Sequence, residues 1–418
     1  MCCPRTPDPR ARPARRAACL PGCGPFALAL ALVSAPVAAP AQQADGGTSW
    51  RAGGPGVNWS LRGRADYSIT GDINRDLEPD NQEKLLTNAL AAGLILDAET
   101  KRSLISTELG VRASYFLGED PELDGDTRLD PRVAVRGIYR GKTYEVDGSL
   151  GLDVEQASLA QADDTGISAG ETTQFTVNYS IGLAQQLDEL NTLNLRSSGT
   201  AIDFDEDNPD LTPSRTVGVN AGWERQLTGT TTAIFDIGAR QFDADDLVDT
   251  RSRTLDLLLT LSHRRTSRHT FGGSIGVTAV STETTGFETD NDLSLTGGAS
   301  LDYLFNNGTV GVDFTQSVEP SAAGELQSFS RLTSDLTYDV TDQQRLNLFA
   351  ALSRRTPLGG TGDTFDYYTV GAGYGIDVTE SVEMRVGYSF QGNNDSAVGA
   401  ATGHQVLLSL GKSFDVIP

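Results

Sequence analysis

The chain has 418 residues, with 33 Lys plus Arg against 56 Asp plus Glu and a formal net charge of −23. An acid surplus on that scale excludes a nucleic-acid partner, because phosphate binding needs a basic face. No window holds the eighteen or so uninterrupted apolar residues of a membrane-spanning helix.

Residues 1–41 have the layout of a cleaved secretory signal peptide. Arg5, Arg10, Arg12, Arg15 and Arg16 form a positive region. A short apolar run, Pro25 to Ala39, follows, and Ala39-Pro40-Ala41 offers small residues before Gln42. All four cysteines (Cys2, Cys3, Cys19, Cys23) lie in this leader, so 42–418 has no disulfide, thiol nucleophile or Cys-based metal site. Without the leader the net charge is −27. Residues 42–55 read as a short periplasmic segment ahead of a barrel over 56–418.

From Val57 onward the dominant signal is a period of two. In Val57–Thr70 the odd positions are Val57, Trp59, Leu61, Gly63, Ala65, Tyr67 and Ile69, and the even ones are polar. Successive side chains of a strand point to opposite faces, so this predicts a long two-faced strand. The pattern recurs to Val406–Phe414 and predicts about eighteen strands, with 16–18 as the range. The connections alternate between tight turns, such as Arg140–Lys142 and Thr228–Gly229, and long polar loops at 71–84, 118–128, 156–172, 203–213, 243–250, 281–290, 319–327, 356–364 and 391–402. This predicts an all-β, transmembrane, antiparallel up-and-down barrel with short periplasmic turns and longer extracellular loops. At that size the polar face lines a water-filled lumen and the apolar face meets lipid. Tyr139, Tyr144, Trp223, Tyr303, Tyr338, Tyr374 and Phe414 fall toward the short turns, as an interfacial girdle would.

The last strand places Phe414 on the outward register of Val406, Leu408 and Leu410, and is similar to the terminal strand that outer-membrane barrels present to their assembly machinery. Asp415-Val416-Ile417-Pro418 follow the aromatic here. Residues 50–418 resemble the porin-like barrels of a β-barrel porin family often associated with exopolysaccharide gene clusters. The resemblance rests on layout and on phrases such as Tyr338-Asp339-Val340 and Leu352-Ser353-Arg354-Arg355. It implies solute diffusion or polysaccharide passage.

Candidate pore-lining residues are Arg62, Arg64, Asp66, Glu108, Arg112, Arg132, Arg136, Glu383 and Arg385, because mixed charges on a lumen face tune ion selectivity. They could equally pair across strands. Their small inward neighbours Ser, Thr, Gly and Asn favour an open lumen. The three histidines, His263, His269 and His404, lack a matching nucleophile motif, so an enzyme is not expected, nor a cofactor or a dedicated metal site. Asp72, Asn74, Asp76, Glu78, Asp80 and Glu83 match the oxygen spacing of a calcium loop, but Leu77 stands where its glycine belongs. Glu119, Asp120, Asp205, Glu206, Asp207, Asp243, Asp245, Asp246, Asp290 and Asp292 make the long-loop rim acidic, able to collect divalent cations that bridge lipopolysaccharide. Two rivals stand beside a channel: a binding or structural barrel using that rim, and a soluble periplasmic β protein. A homo-oligomer is one arrangement, with no patch distinct enough to name.

Overall fold

The computed structural model describes residues 56–74, 77, 84–118, 125–156, 172–205, 211–246, 249–284, 289–321, 325–358, 364–395 and 399–417. The leader and residues 42–55 lie outside them. Eighteen strands follow one another: β1 (Asn58–Ile73), β2 (Lys84–Glu99), β3 (Ser103–Gly118), β4 (Thr127–Arg140), β5 (Tyr144–Gln156), β6 (Thr173–Gln186), β7 (Asn191–Phe204), β8 (Ser214–Thr228) and β9 (Thr231–Ala244). They continue with β10 (Arg251–Thr266), β11 (His269–Glu283), β12 (Asp290–Phe305), β13 (Gly308–Pro320), β14 (Leu326–Thr341), β15 (Gln344–Pro357), β16 (Phe365–Thr379), β17 (Val382–Asp395) and β18 (Gly399–Ile417). Each strand pairs antiparallel with its sequence neighbours, and β1 also pairs with β18, closing the sheet. The predicted all-β, up-and-down barrel is therefore present, at the upper end of the predicted strand count. Among the described residues no helix is long and apolar enough to cross a membrane.

The period-two pattern sorts the side chains as the sequence suggests. Along β10, Arg251, Arg253 and Leu255 are exposed while Ser252 and Thr254 are buried. Leu255, Leu257, Leu259 and Leu261 continue the exposed face. The opposite face is the interior of the ring. Arg240 on β9 donates from Nη2 to the Val318 carbonyl of β13, 3.2 Å away. β13 lies four strands along the ring from β9, and such a reach runs through the inside.

The eight tight turns form one rim and the long loops the other. In the turn between β6 and β7, Asp188 accepts from Leu190 N at 2.8 Å, Asn191 N at 3.0 Å and Asn191 Nδ2 at 2.8 Å. The Leu190 backbone donor, then the Asn191 side chain, hold its carboxyl below the usual range. A lowered carboxyl value stabilises this turn at neutral pH, and the contribution fades as pH falls through that value. Aromatic rings cluster at the same rim: Tyr139 with Tyr144 at 6.0 Å, and Tyr303, Phe305 and Tyr338 in a chain of 6.0 and 6.1 Å contacts. A second group, unforeseen in the sequence reading, gathers Tyr368, Phe390, Tyr388 and His404 toward the long-loop rim.

The ladder is interrupted in two places, both toward the long-loop rim. β4 and β5 pair only from Arg132 to Arg140, and Pro131 stands where pairing stops. Proline has no N–H to contribute, so it is tolerated where a strand becomes an edge. β12 and β13 pair only between Gly297–Phe305 and Gly308–Gln316. Beyond that level β12 holds only β11, and β13 only β14. Gly297 sits at the parting with φ +150°, and an added Cβ would collide with the Ser274 carbonyl. Only glycine takes that conformation without strain. Gly297→Val is expected to cut the heat-modifiable, fast-migrating folded fraction on unheated gels by about half or more, since such strain costs on the order of 1–3 kcal/mol. Gly273→Ala, whose Cβ meets nothing within 4 Å, should leave that fraction unchanged.

Candidate functional site

The nine charged candidates all lie on the interior register face. On β1 and β2, Arg62 Nη2 meets Asp97 Oδ2 at 2.8 Å, and Arg64 forks onto Asp66 at 2.6 and 3.0 Å. On β17, Arg385 forks onto Glu383 at 2.6 and 2.5 Å. On β4, Arg132 bonds Asp153 of β5 at 3.1 Å, its direct partner in the ladder. Arg132 thus pairs across strands. Glu108, Arg112 and Arg136 have no hydrogen-bond or ion-pair partner among the described residues.

These residues also converge. Glu108, Arg132, Arg136, Asp153, Asn178 and Ser106 line a recess of about 350 Å³ on the interior wall of β3–β6. Its charges are partly spent and partly available: Arg132 is neutralised by Asp153, while Glu108 and Arg136 face the recess unpaired. Arg62, Arg64, Asp66, Glu383 and Arg385 form a second charged sector across the β17–β18–β1 seam, where Asp66 opposes Gly411 and Glu383 opposes the same glycine.

An interior feature absent from the sequence reading narrows the ring. The end of β13 that has parted from β12 reaches across the inside toward β9, with β14 still paired to it and to β15. Arg240 is its anchor, bonded to Asp256 at 3.3 and 3.5 Å and to the Val318 carbonyl. Asp256 is itself fixed by Thr278 Oγ1 at 2.6 Å. The interior-register side chains of β9–β12 at this level are buried: Phe242, Ser252, Thr278 and Val280 are 1–4% exposed. Val318 is 1% exposed. On β14, Phe329 is buried beneath the Arg355 guanidinium, 4.8 Å from the ring centre. Ser252 and Thr278, small inward residues, floor a packed wedge on this side.

The exit from β1 turns inward too. Asn74 (φ 55°) donates to the Thr402 carbonyl at 2.9 Å, and Asn393 donates to the Leu77 carbonyl at 3.3 Å. Leu77, at φ 51°, is 3% exposed. A leucine in the left-handed region is costly, and burial of its side chain offsets that cost. Asp72 accepts from Gln405 at 2.9 Å. The two described members of the calcium-loop spacing therefore face β18, and the remaining four lie outside the described residues.

The histidines are separate. His263 bonds Thr231 Oγ1, His269 bonds Thr266 Oγ1 and stacks on Tyr303 at 4.6 Å, and His404 bonds Tyr388. Along the long-loop rim Asp243 bonds Arg251, Asp246 bonds Thr250 and Asp205 accepts from Thr173 N. Glu119, Asp120, Glu206 and Asp207 lie outside the described residues. Among the described residues no group of three His, Cys, Asp or Glu could hold a metal ion.

No protein-family model matches the chain, and no curated protein sequence does. Solved structures do. The chain is similar to the outer membrane protein OpdK of Pseudomonas aeruginosa, at 11% identity and a TM-score of 0.47, over 86% of this chain and 99% of that one. It is similar to OccAB3 of Acinetobacter baumannii, at 12% identity and 0.45, over 86% and 99%. A mutant of the ferric enterobactin receptor PfeA of Pseudomonas aeruginosa matches at 11% and 0.43, over 85% and 80%. At these identities the likeness concerns fold alone.

Proposed function

We propose that the chain is an outer-membrane channel that passes small hydrophilic solutes through the ring. The observation that carries this reading is the closed eighteen-strand sheet with leucines on its outer face and charged pairs on its inner one. A closed ring leaves no unpaired edge in hydrocarbon, and one of this strand number encloses an aqueous lumen. Long loops then face outward and tight turns face the periplasm. Arg62, Arg64, Asp66, Glu108, Arg112, Arg132, Arg136, Glu383 and Arg385 line the path, and the β3–β6 recess with its unpaired Glu108 and Arg136 is where a charged solute pauses. The β13–β14 wedge favours small solutes over an exported polysaccharide, the finer reading that the family resemblance implies. Phe414, at the exposed end of β18, is the residue the assembly machinery meets first.

Reconstitution in planar bilayers tests this. The folded wild-type barrel is expected to conduct, and Arg240→Ala, by releasing the wedge, should raise single-channel conductance by about 20% or more. Replacing Arg132 and Arg136 together by Glu should move the reversal potential toward cations, on the order of 10 mV. A folded barrel that never conducts overturns the channel and leaves the acidic long-loop rim as a surface binding cations, glycans or a partner. Amide exchange checks the wedge independently: in Arg240→Ala, exchange in β13 and β14 beyond Gln316 should rise about tenfold, with Leu255–Leu261 unchanged.

A further inference from the structure

We propose that the outer face of β8–β10, at the long-loop rim, binds the phosphate groups of an outer-leaflet glycolipid through Arg215, Arg251 and Arg253. The inference rests on the outer-membrane reading above.

Three observations carry it. The first is register. Arg215 on β8 opposes Asp243 on β9, which opposes Arg251 on β10, which opposes Glu283 on β11. These residues form one row around the outside, with Arg253 one row below. Arg251 and Arg253 share the face of Leu255, Leu257, Leu259 and Leu261, opposite buried Ser252 and Thr254. The outward face of β10 thus reads as two arginines above four leucines.

The second is height. A strand rises about 3.4 Å per residue, and at a tilt near 40° it climbs roughly 2.5 Å. An apolar band about 25 Å tall therefore takes about ten residues. Counted from His263 beside the short turn, the band ends at Arg253. A lipid-facing arginine is strongly disfavoured at the midplane and tolerated at the interface, so this is the level where such a row can stand and where lipid phosphates lie.

The third is availability. Arg354, the outward arginine on β15, is forked onto Asp366 at 2.6 and 2.9 Å and has little left to offer. Arg215 has no hydrogen-bond or ion-pair partner among the described residues. Arg253 lies 3.7 Å from Glu283, with both side chains at least half exposed. Asp243 is occupied by Gln241 at 3.2 and 2.8 Å and by Arg251 Nε at 2.6 Å. Arg251 meets Asp243 through Nε alone, where Arg354 spends both Nε and Nη2 on Asp366, and its side chain is 52% exposed. The three arginines against Asp243 and Glu283 therefore still present guanidinium edges, whose planar fork matches phosphate oxygens, in a chain that is otherwise strongly acidic.

The test uses the folded full-length barrel in detergent micelles, titrated with bisphosphorylated lipid A or its dephosphorylated form, with retained lipid counted by native mass spectrometry. The wild type should retain the bisphosphorylated form at least about tenfold better. Replacing Arg215, Arg251 and Arg253 by Gln should abolish that preference, while Arg225→Gln, an outward arginine beside Trp223 near the opposite rim, should preserve it. Arg215→Gln alone breaks no hydrogen bond or ion pair among the described residues, so it should fold normally and weaken retention several-fold. Equal retention of the two lipids, an unchanged Arg215→Gln variant, or full displacement by millimolar inorganic phosphate would overturn the proposal. A barrel that conducts without discriminating between the lipids defeats only this site; one that discriminates but stays silent defeats only the channel.

Discussion

Closure of the backbone ladder between β1 and β18 is the constraint on which the rest of this fold depends. Those two strands stand at opposite ends of the barrel sequence, yet they pair over nearly the whole of β1, from Leu61 to Ile73. Without that seam each would present a full row of unpaired N–H and C=O groups, a template for aggregation in water and several kcal/mol per group in hydrocarbon. Closure makes one face interior and the other exterior for every strand at once. Chain-wide alternation then becomes two coherent surfaces. The exterior carries a continuous run of exposed leucine, valine and aromatic side chains far larger than the apolar patch a soluble monomer tolerates.

Closure of so large a ring leaves space inside, and the break between β12 and β13 governs how part of that space is filled. A strand released from one neighbour is free to bend, but its loosened backbone must find other partners. β13 does so by offering the Val318 carbonyl to Arg240, itself held by Asp256 and Thr278. The break and the anchor are therefore linked: Gly297 permits the departure, and a three-residue polar cluster on β9, β10 and β11 receives it. The turn after β1 follows the same logic with neutral groups, as Asn74 and Asn393 satisfy backbone carbonyls that left the ladder.

Much of this is legible in the sequence because a closed sheet with two unlike faces imposes the same two-letter alphabet on every strand. Val57–Thr70 alone displays the period, and the loop-length alternation separates the rims. The charged candidates share the interior register face for the same reason: parity along a strand needs no knowledge of its neighbour. Partner choice does need it. Parity puts Arg132 and Arg136 on one face, and only the ladder register reveals Asp153 directly opposite Arg132. The wedge is illegible because Gly297, where β12 and β13 part, leaves the alternation undisturbed. The second aromatic group was missed because Tyr368, Phe390 and His404 meet only once β16, β17 and β18 are in register.

The interior charges form two classes with different physical consequences. Arg64–Asp66 and Glu383–Arg385 are two residues apart on one strand, so they form whatever the neighbouring register is and contribute nothing to choosing it. Arg62–Asp97, Arg132–Asp153 and Arg196–Asp147 join different strands. A one-residue slip would throw one partner of each onto the opposite, apolar face. In these pairs the arginine side chains are 54–61% exposed, so each bridge adds at most about 1 kcal/mol. Their larger effect is on the alternatives: placing an arginine among the outward leucines of a lipid-facing surface costs about 2–4 kcal/mol near the midplane. The cross-strand pairs thus discriminate against misregistered barrels more strongly than they stabilise the correct one, and the charge that could define a solute path also keeps its wall in register.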